Sequence, residues 1–216
     1  TGTDSELLEP LVEAAKAGKE VTAVIELRAR FDEAANIEIA TRLQEAGAKV
    51  VYGVFGYKSH AKMLLIVRRE GEELRRYVHL GTGNYHPGTA RAYTDFGYLS
   101  CDPDLGADVH ELFQQLTGLG QATGLRTLVQ SPFRLQDEML GRIRGEIEAA
   151  EAGEPARIIA RMNSLIEPQI IRELYRASRA GVEIDLIVRG PCALRPGVPG
   201  VSENIRVRSI LGRFLE

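Results

Sequence analysis

An internal repeat constrains the fold of this chain more than any other feature of its sequence. When the sequence is shifted by 134 positions, four identities appear: Glu33, Arg42, Ala46 and Gly47 fall on Glu167, Arg176, Ala180 and Gly181. Apolar positions align as well, for example Ile37 with Ile171. Both copies follow the order strand, helix, glycine, strand. The repeat therefore predicts an α/β chain made of two units built on one plan.

Hydrophobic spacing predicts the elements of the two units. The first is predicted to contain helices at 7–17, 32–46 and 106–119 and strands at 21–27, 49–55, 61–69, 75–80 and 96–100. The second is predicted to contain helices at 135–151 and 169–180 and strands at 157–162 and 182–189. Asp4 or Ser5 is expected to cap the first helix. Glycines at 118, 120 and 124 mark the break, which places the domains at 1–124 and 125–216.

Composition excludes several classes of protein. The 216 residues are 44% hydrophobic and 26% charged, as in ordinary globular proteins. No apolar run approaches the ~20 residues of a membrane span, and two cysteines are too few for a disulfide framework. The net charge of −3 provides no general attraction to nucleic acid. We expect a cytoplasmic protein with no nucleic-acid partner.

Two residues at the start of a predicted strand can carry out chemistry on an anion. His60 and Lys62 are two positions apart, so both side chains point to the same face of a strand. A histidine nitrogen can attack phosphorus, and a nearby lysine can neutralise charge on phosphoryl oxygens. The glycine-rich segment 81–84 can present backbone N–H groups and the Asn84 amide to phosphate. Together these features strengthen the case for phosphoryl chemistry, and the alternatives are an ordinary structural pair and a plain turn.

Three further residues extend this candidate site. Asp95 offers a carboxylate that can hold one His60 ring nitrogen and leave the other free to attack. Arg30 ends the first strand, and Arg189 takes the equivalent position in the second unit. Ligands of α/β proteins gather at the carboxyl ends of strands. The two arginines are therefore expected to face phosphate.

These residues resemble the phospholipase D superfamily, and more fully the polyphosphate kinase family of the larger, phospholipase-D-like type. The stretches that carry the resemblance are 26–33, 58–62, 79–85, 89–95, 186–190 and 202–206. They include Lys58-Ser59-His60-Ala61-Lys62 and His79-Leu80-Gly81-Thr82-Gly83-Asn84-Tyr85. The resemblance covers the whole chain. It implies two tandem phospholipase-D-like α/β/α units, the second incomplete.

The resemblance also implies an activity and residue roles. It predicts reversible transfer of the ATP γ-phosphoryl group to inorganic polyphosphate, with His60 phosphorylated as the intermediate and Asp95 paired with it. Tyr93 and Arg189 match ATP-contacting positions, and Lys62 and Asn84 match phosphate-holding positions. Arg30 matches a residue of the magnesium and phosphate site, so Mg²⁺ is the implied cofactor. The implied complete protein is a homo-oligomer, at most peripherally associated with the inner face of the membrane.

Departures from the two patterns keep other functions open. Phospholipase D enzymes carry an aspartate at the position of Val67, five residues after Lys62, and its absence favours a kinase over a phosphodiesterase or nuclease. The family pattern further implies an arginine before Thr1 and a second essential histidine after Glu216. We therefore expect this chain alone to be inactive. A non-catalytic polyanion-binding module is the remaining alternative.

Overall fold

The computed structural model describes residues 6–26, 33–53 and 56–210. These residues divide into two compact units, one extending to Leu128 and the other beginning at Val129. None of the described helices is long and apolar enough to cross a membrane.

The first unit begins with a small layer of helices on a parallel sheet. It contains α1 (Leu8–Lys16), β1 (Thr22–Ile25), α2 (Glu33–Glu45) and β2 (Lys49–Tyr52). β1 and β2 pair in parallel, with Thr22 opposite Lys49. Apolar side chains at helical spacing on α1 and α2 pack on the sheet, and the buried ones include Leu8, Val12, Ile39 and Leu43. This packing holds the carboxyl ends of β1 and β2 at one edge.

An antiparallel sheet follows in the same unit. Its strands β3 (Lys62–Glu70), β4 (Glu73–Gly81) and β5 (Gly97–Ser100) lie in that order. A short helix, α3 (Pro87–Ala92), lies between β4 and β5 in the chain, and α4 (Pro103–Leu116) follows β5. Gly71, with φ +64°, allows the tight turn between β3 and β4. Val78 of β4 and Val109 of α4 are buried, so the middle of the sheet is covered.

The second unit is a parallel sheet with helices. It contains α5 (Leu135–Glu151), β6 (Arg157–Met162), α6 (Pro168–Arg179), β7 (Glu183–Val188) and β8 (Ile205–Arg208). The strands lie in the order β6, β7, β8. Alternate residues of β7 are fully buried: Ile184, Leu186 and Val188. They pack with apolar residues of α5 and α6 in one core, as the period of two along a strand requires.

The structure confirms the α/β class. The repeat is visible as well: a shift of 134 positions superposes the ranges of α1, β1, α2 and β2 on those of α5, β6, α6 and β7. Two elements were not predicted. The stretch before Asp95, interpreted as irregular, contains α3, and the second unit contains β8, for which no strand was predicted.

Helix boundaries differ from the predictions where a cap decides them. α4 begins at Pro103, three residues before the predicted start. The Asp102 side chain accepts a hydrogen bond from the Leu105 backbone N–H at 2.9 Å and caps this end. The predicted caps of the first helix, Asp4 and Ser5, lie outside the described residues.

Candidate active site

The antiparallel sheet brings three segments of the first unit together. Lys62 at the start of β3 lies opposite Gly81 at the end of β4, and Gly81 lies opposite Gly97 at the start of β5. Directly opposed residues share a face of a sheet. The register therefore places Lys62, the glycine loop and the segment that carries Asp95 at one end of this sheet.

His60 and Lys62 are in contact. The Lys62 ammonium lies 3.2 Å from His60 Nδ1 and donates a hydrogen bond of 2.6 Å to the His60 carbonyl oxygen. His60 is exposed, whereas Lys62 is half-buried. An ammonium group has donors only, so Nδ1 is the acceptor and the ring proton lies on Nε2. The pair is therefore a neutral imidazole held beside a cation.

The charges of the site act on both groups. The positive charge of Lys62, with smaller effects of burial and of Lys58, holds the pKa of His60 below its ordinary value. Burial also lowers the pKa of Lys62, while the Asp95 carboxylate acts in the opposite direction. A lowered pKa keeps the imidazole unprotonated near neutral pH, which is the form that can act as a nucleophile.

Asp95 is held by the glycine loop. Its Oδ1 accepts a hydrogen bond from the Thr82 hydroxyl at 3.0 Å. Two hydrogen bonds also join Thr82 to Phe96. The Thr82 N–H donates to the Phe96 carbonyl at 3.0 Å, and the Phe96 N–H donates to the Thr82 hydroxyl oxygen at 2.9 Å. Among the described residues, Asp95 and His60 share no hydrogen bond, and Asp95 acts instead on Lys62.

Gly83 is required by the position of Asp95. A Cβ atom at Gly83 would lie 2.1 Å from Asp95 Oδ2 and 2.3 Å from its Cγ. The carboxylate therefore lies directly against the Gly83 backbone. Asn84, the next residue, is exposed. The loop thus holds the Asp95 carboxylate where its charge acts on Lys62.

A second histidine supports this loop, and sequence reasoning missed it. His79 Nδ1 lies 2.7 Å from the Tyr85 hydroxyl. Its ring lies so close to two glycines that a Cβ at Gly97 would be 2.8 Å from Nε2, and one at Gly81 would be 3.3 Å from Cε1. The spacing of His79 and Tyr85 around the loop was the available signal. The pairing depends on the conformation of the loop, which the sequence does not specify.

Residues after the loop are held by α3. The His86 imidazole accepts a hydrogen bond from the Thr89 N–H at 3.1 Å and so caps this helix. Tyr93, which follows α3, is half-buried, and its N–H donates to the Thr89 carbonyl at 3.2 Å. α3 therefore fixes the backbone position of Tyr93, two residues before Asp95.

The second unit places Arg189 at the carboxyl end of β7. Its guanidinium Nε donates to Asn163 Oδ1 at 3.0 Å, and its backbone N–H donates to the Met162 carbonyl at 3.1 Å. Asn163 follows β6, so two strand ends meet at this residue. Arg30, the other arginine expected to face phosphate, lies outside the described residues.

Family models match both units. The model described as polyphosphate kinase C-terminal domain 1 matches residues 1–122. The model described as polyphosphate kinase C-terminal domain 2 matches residues 128–216.

The chain belongs to the polyphosphate kinase family.

Curated relatives agree with this assignment. Proteins named polyphosphate kinase from Xylella fastidiosa (strain Temecula1) and Neisseria meningitidis serogroup C are each 64% identical over the whole chain. One from Pseudomonas aeruginosa is 60% identical over the same length. The chain spans 31% of the Xylella and Pseudomonas proteins and 32% of the Neisseria protein.

A solved polyphosphate kinase has the same fold. The crystal structure of polyphosphate kinase from Porphyromonas gingivalis matches 99% of this chain with a TM-score of 0.87 and 38% identity. The match covers 35% of that chain. The chain therefore has the polyphosphate kinase fold, which is the phospholipase-D-like fold that the resemblance implied.

The described residues contain no cluster of metal-ligating side chains large enough to hold a metal ion by itself. Magnesium in phosphoryl-transfer sites is bound by one or two carboxylates together with substrate phosphates. No group of three or more His, Cys, Asp or Glu side chains in the described ranges could hold a metal ion. Arg30 has donors only, so it cannot ligate a cation and suits a phosphate oxygen instead.

Proposed function

We propose that this chain is the part of a polyphosphate kinase that carries the phosphorylated histidine. In this proposal the complete protein transfers the γ-phosphoryl group of ATP reversibly to inorganic polyphosphate through a phosphohistidine at His60. The observation that carries the proposal is the His60 ring held against Lys62, whose positive charge lowers the pKa of His60 and keeps the ring neutral. The family assignment supplies the substrates.

The first step is attack by a His60 ring nitrogen on the γ-phosphorus. The nitrogen lone pair forms the N–P bond, the bond to the bridging oxygen breaks, and ADP leaves with that electron pair. In the second step a terminal oxygen of polyphosphate attacks the phosphorus, and the ring nitrogen recovers its lone pair. In this scheme Mg²⁺ enters with ATP, as part of the nucleotide substrate.

Lys62 has two positions in this scheme. Without substrate it donates to His60 Nδ1. A charged phosphoryl oxygen is a stronger acceptor than a neutral ring nitrogen, so nucleotide binding draws the ammonium onto the phosphate. There it neutralises charge on the oxygens that surround the reacting phosphorus. By the resemblance, Arg30 is proposed to face phosphate, Asn84 to hold phosphate, and Tyr93 and Arg189 to contact ATP.

Asp95 is proposed to act both before ATP binds and during the attack by His60. Before substrate binds, its negative charge favours the protonated form of Lys62. Attack through Nε2 requires the ring proton to move to Nδ1, and a carboxylate that accepts from Nδ1 favours that tautomer. The resemblance gives this role to Asp95. The described contacts support the first role, which acts through Lys62.

Replacement of His60 tests the proposal. In the full-length protein, His60→Ala should abolish both polyphosphate synthesis and acid-labile labelling by γ-labelled ATP, because no other described side chain takes its place beside Lys62. His110, on α4, provides a matched control, and His110→Ala should keep both activities. Synthesis above a few per cent in a folded His60→Ala protein would assign the intermediate to another residue.

Two further measurements separate the competing functions. A phosphodiesterase would cleave a model phosphodiester without ATP, and a binding module would retain polyphosphate without transferring phosphate. We expect neither result, since Val67 stands where the phosphodiesterase pattern has an acid. Oligomer formation by the full-length protein stays a prediction, which sedimentation would test.

A further inference from the structure

Glu26 is fixed at the carboxyl end of β1. It directly follows the last residue of this strand and is half-buried. Its backbone carbonyl accepts a hydrogen bond of 3.0 Å from the Asn36 side-chain amide. Asn36 lies on α2 and is only 4% exposed. The backbone of Glu26 is therefore anchored to a buried residue of α2.

The Glu26 carboxylate reaches the segment that carries His60. Its Oε2 accepts a hydrogen bond of 2.8 Å from the backbone N–H of Ser59, the residue before His60. Residues 58–61 belong to no helix or strand, so this segment has no ladder of backbone hydrogen bonds to hold it. A hydrogen bond to an ionised acceptor is about twice as strong as a neutral one. Glu26 thus supplies a strong attachment for an otherwise irregular segment.

The carboxylate also lies close to the end of β2. Gly53, the residue after β2, has φ +57°, and a Cβ added there would be 3.9 Å from both Glu26 carboxylate oxygens. The group therefore lies near the ends of both parallel strands. Lys62, three residues after Ser59, begins the antiparallel sheet. The Glu26–Ser59 hydrogen bond accordingly links the parallel sheet to the segment that enters the antiparallel one.

From these contacts we infer that Glu26 is a positioning residue for His60. Together with Lys62, which fixes the other side of the segment, it determines where the imidazole stands. This inference rests on the proposed phosphohistidine at His60. A displacement of about 1 Å in a reacting group can cost on the order of 100-fold in rate. Loss of the carboxylate should therefore slow phosphoryl transfer while leaving ATP binding nearly unchanged.

The test uses three variants of the full-length enzyme. Single-turnover phosphorylation at saturating ATP should be about 10- to 100-fold slower in Glu26→Ala. Glu26→Gln keeps an acceptor without its charge and should lose less, about 3- to 10-fold. The half-saturating ATP concentration should stay within about threefold in both. Glu20→Ala is the control, since Glu20 is an exposed glutamate near β1 that pairs with Lys49, and it should be unchanged.

Hydrogen exchange provides a readout that is independent of catalysis. The Ser59 amide should exchange faster in Glu26→Ala than in the wild-type enzyme, with less change in Glu26→Gln. A normal phosphorylation rate in a variant whose Ser59 exchange is accelerated would overturn the inference, and Glu26→Gln keeps this test available if Glu26→Ala does not fold. Phosphate absent from His60 in the wild-type enzyme would refute the proposed intermediate instead.

Discussion

Gly83→Ala is a small change that should disturb the site through one identified contact. The added methyl would lie 2.1 Å from Asp95 Oδ2 and 2.9 Å from its Cβ. Nonbonded atoms are in favourable contact at about 3.5–4.0 Å, so the carboxylate must move by more than about 1 Å. This movement breaks its hydrogen bond with Thr82, which costs about 1 kcal/mol, and takes its charge away from Lys62. We expect a loss of about 10- to 100-fold in phosphorylation rate.

The assay is single-turnover phosphorylation in the full-length enzyme. Gly141→Ala is a matched control, because a Cβ at this helical glycine meets nothing within 4 Å; it should keep full activity. Gly83→Ala should also lose most of its effect when Asp95 is already replaced by alanine, since contacting residues are not additive. Equal losses in the two backgrounds would refute the reasoning, because Gly83 would then act without Asp95.

Three further predictions concern charge. Lys62→Met should raise the pKa of His60 towards its ordinary value, because the positive charge of Lys62 is the largest cause that lowers it. NMR titration of His60 would measure this rise, and an unchanged pKa would contradict the prediction. Asp95→Asn should slow phosphoenzyme formation more than it weakens ATP binding, and a collapse of affinity with a normal rate would make Asp95 a binding residue. Asp108→Asn should lower the free energy of unfolding by about 2–3 kcal/mol, because this buried carboxylate accepts backbone N–H bonds from Arg126, Thr127 and Leu128. Burial opposes these bonds, but they lower the pKa of Asp108 in the native state. The stabilisation is therefore present above the unfolded pKa of about 4 and is lost as pH falls below it. Denaturation curves should accordingly show a larger loss in the free energy of unfolding for Asp108→Asn at pH 7 than at pH 3.

Much of the fold was predictable because it depends on local patterns. Helical spacing and β-branched runs identified the repeated strand–helix–strand order, and glycines such as Gly47, with φ +93°, marked helix ends. α3 was missed because its six residues include Gly88 and carry no apolar stripe. β8 was missed although a signal was present, since its β-branched residues alternate with arginines as in a strand.

The candidate site was predictable only in part, for a related reason. The contact between His60 and Lys62 joins residues two apart, and local spacing is enough to predict it. The Thr82–Asp95 hydrogen bond joins residues 13 apart, and it depends on the pairing of β4 with β5. The Glu26–Ser59 hydrogen bond joins residues 33 apart, across the parallel and antiparallel parts of the unit. Such contacts follow from tertiary packing, which spacing along the chain does not encode.

Location of the phosphate after a brief reaction with ATP tests the proposed mechanism most directly. The full-length enzyme would be mixed with γ-labelled ATP, quenched at alkaline pH to preserve phosphohistidine, digested and mapped by mass spectrometry. We predict phosphate on a ring nitrogen of His60, formed as fast as turnover and lost when polyphosphate or ADP is added. Phosphate on any other residue, or a His60 label that polyphosphate and ADP do not remove, would contradict the mechanism.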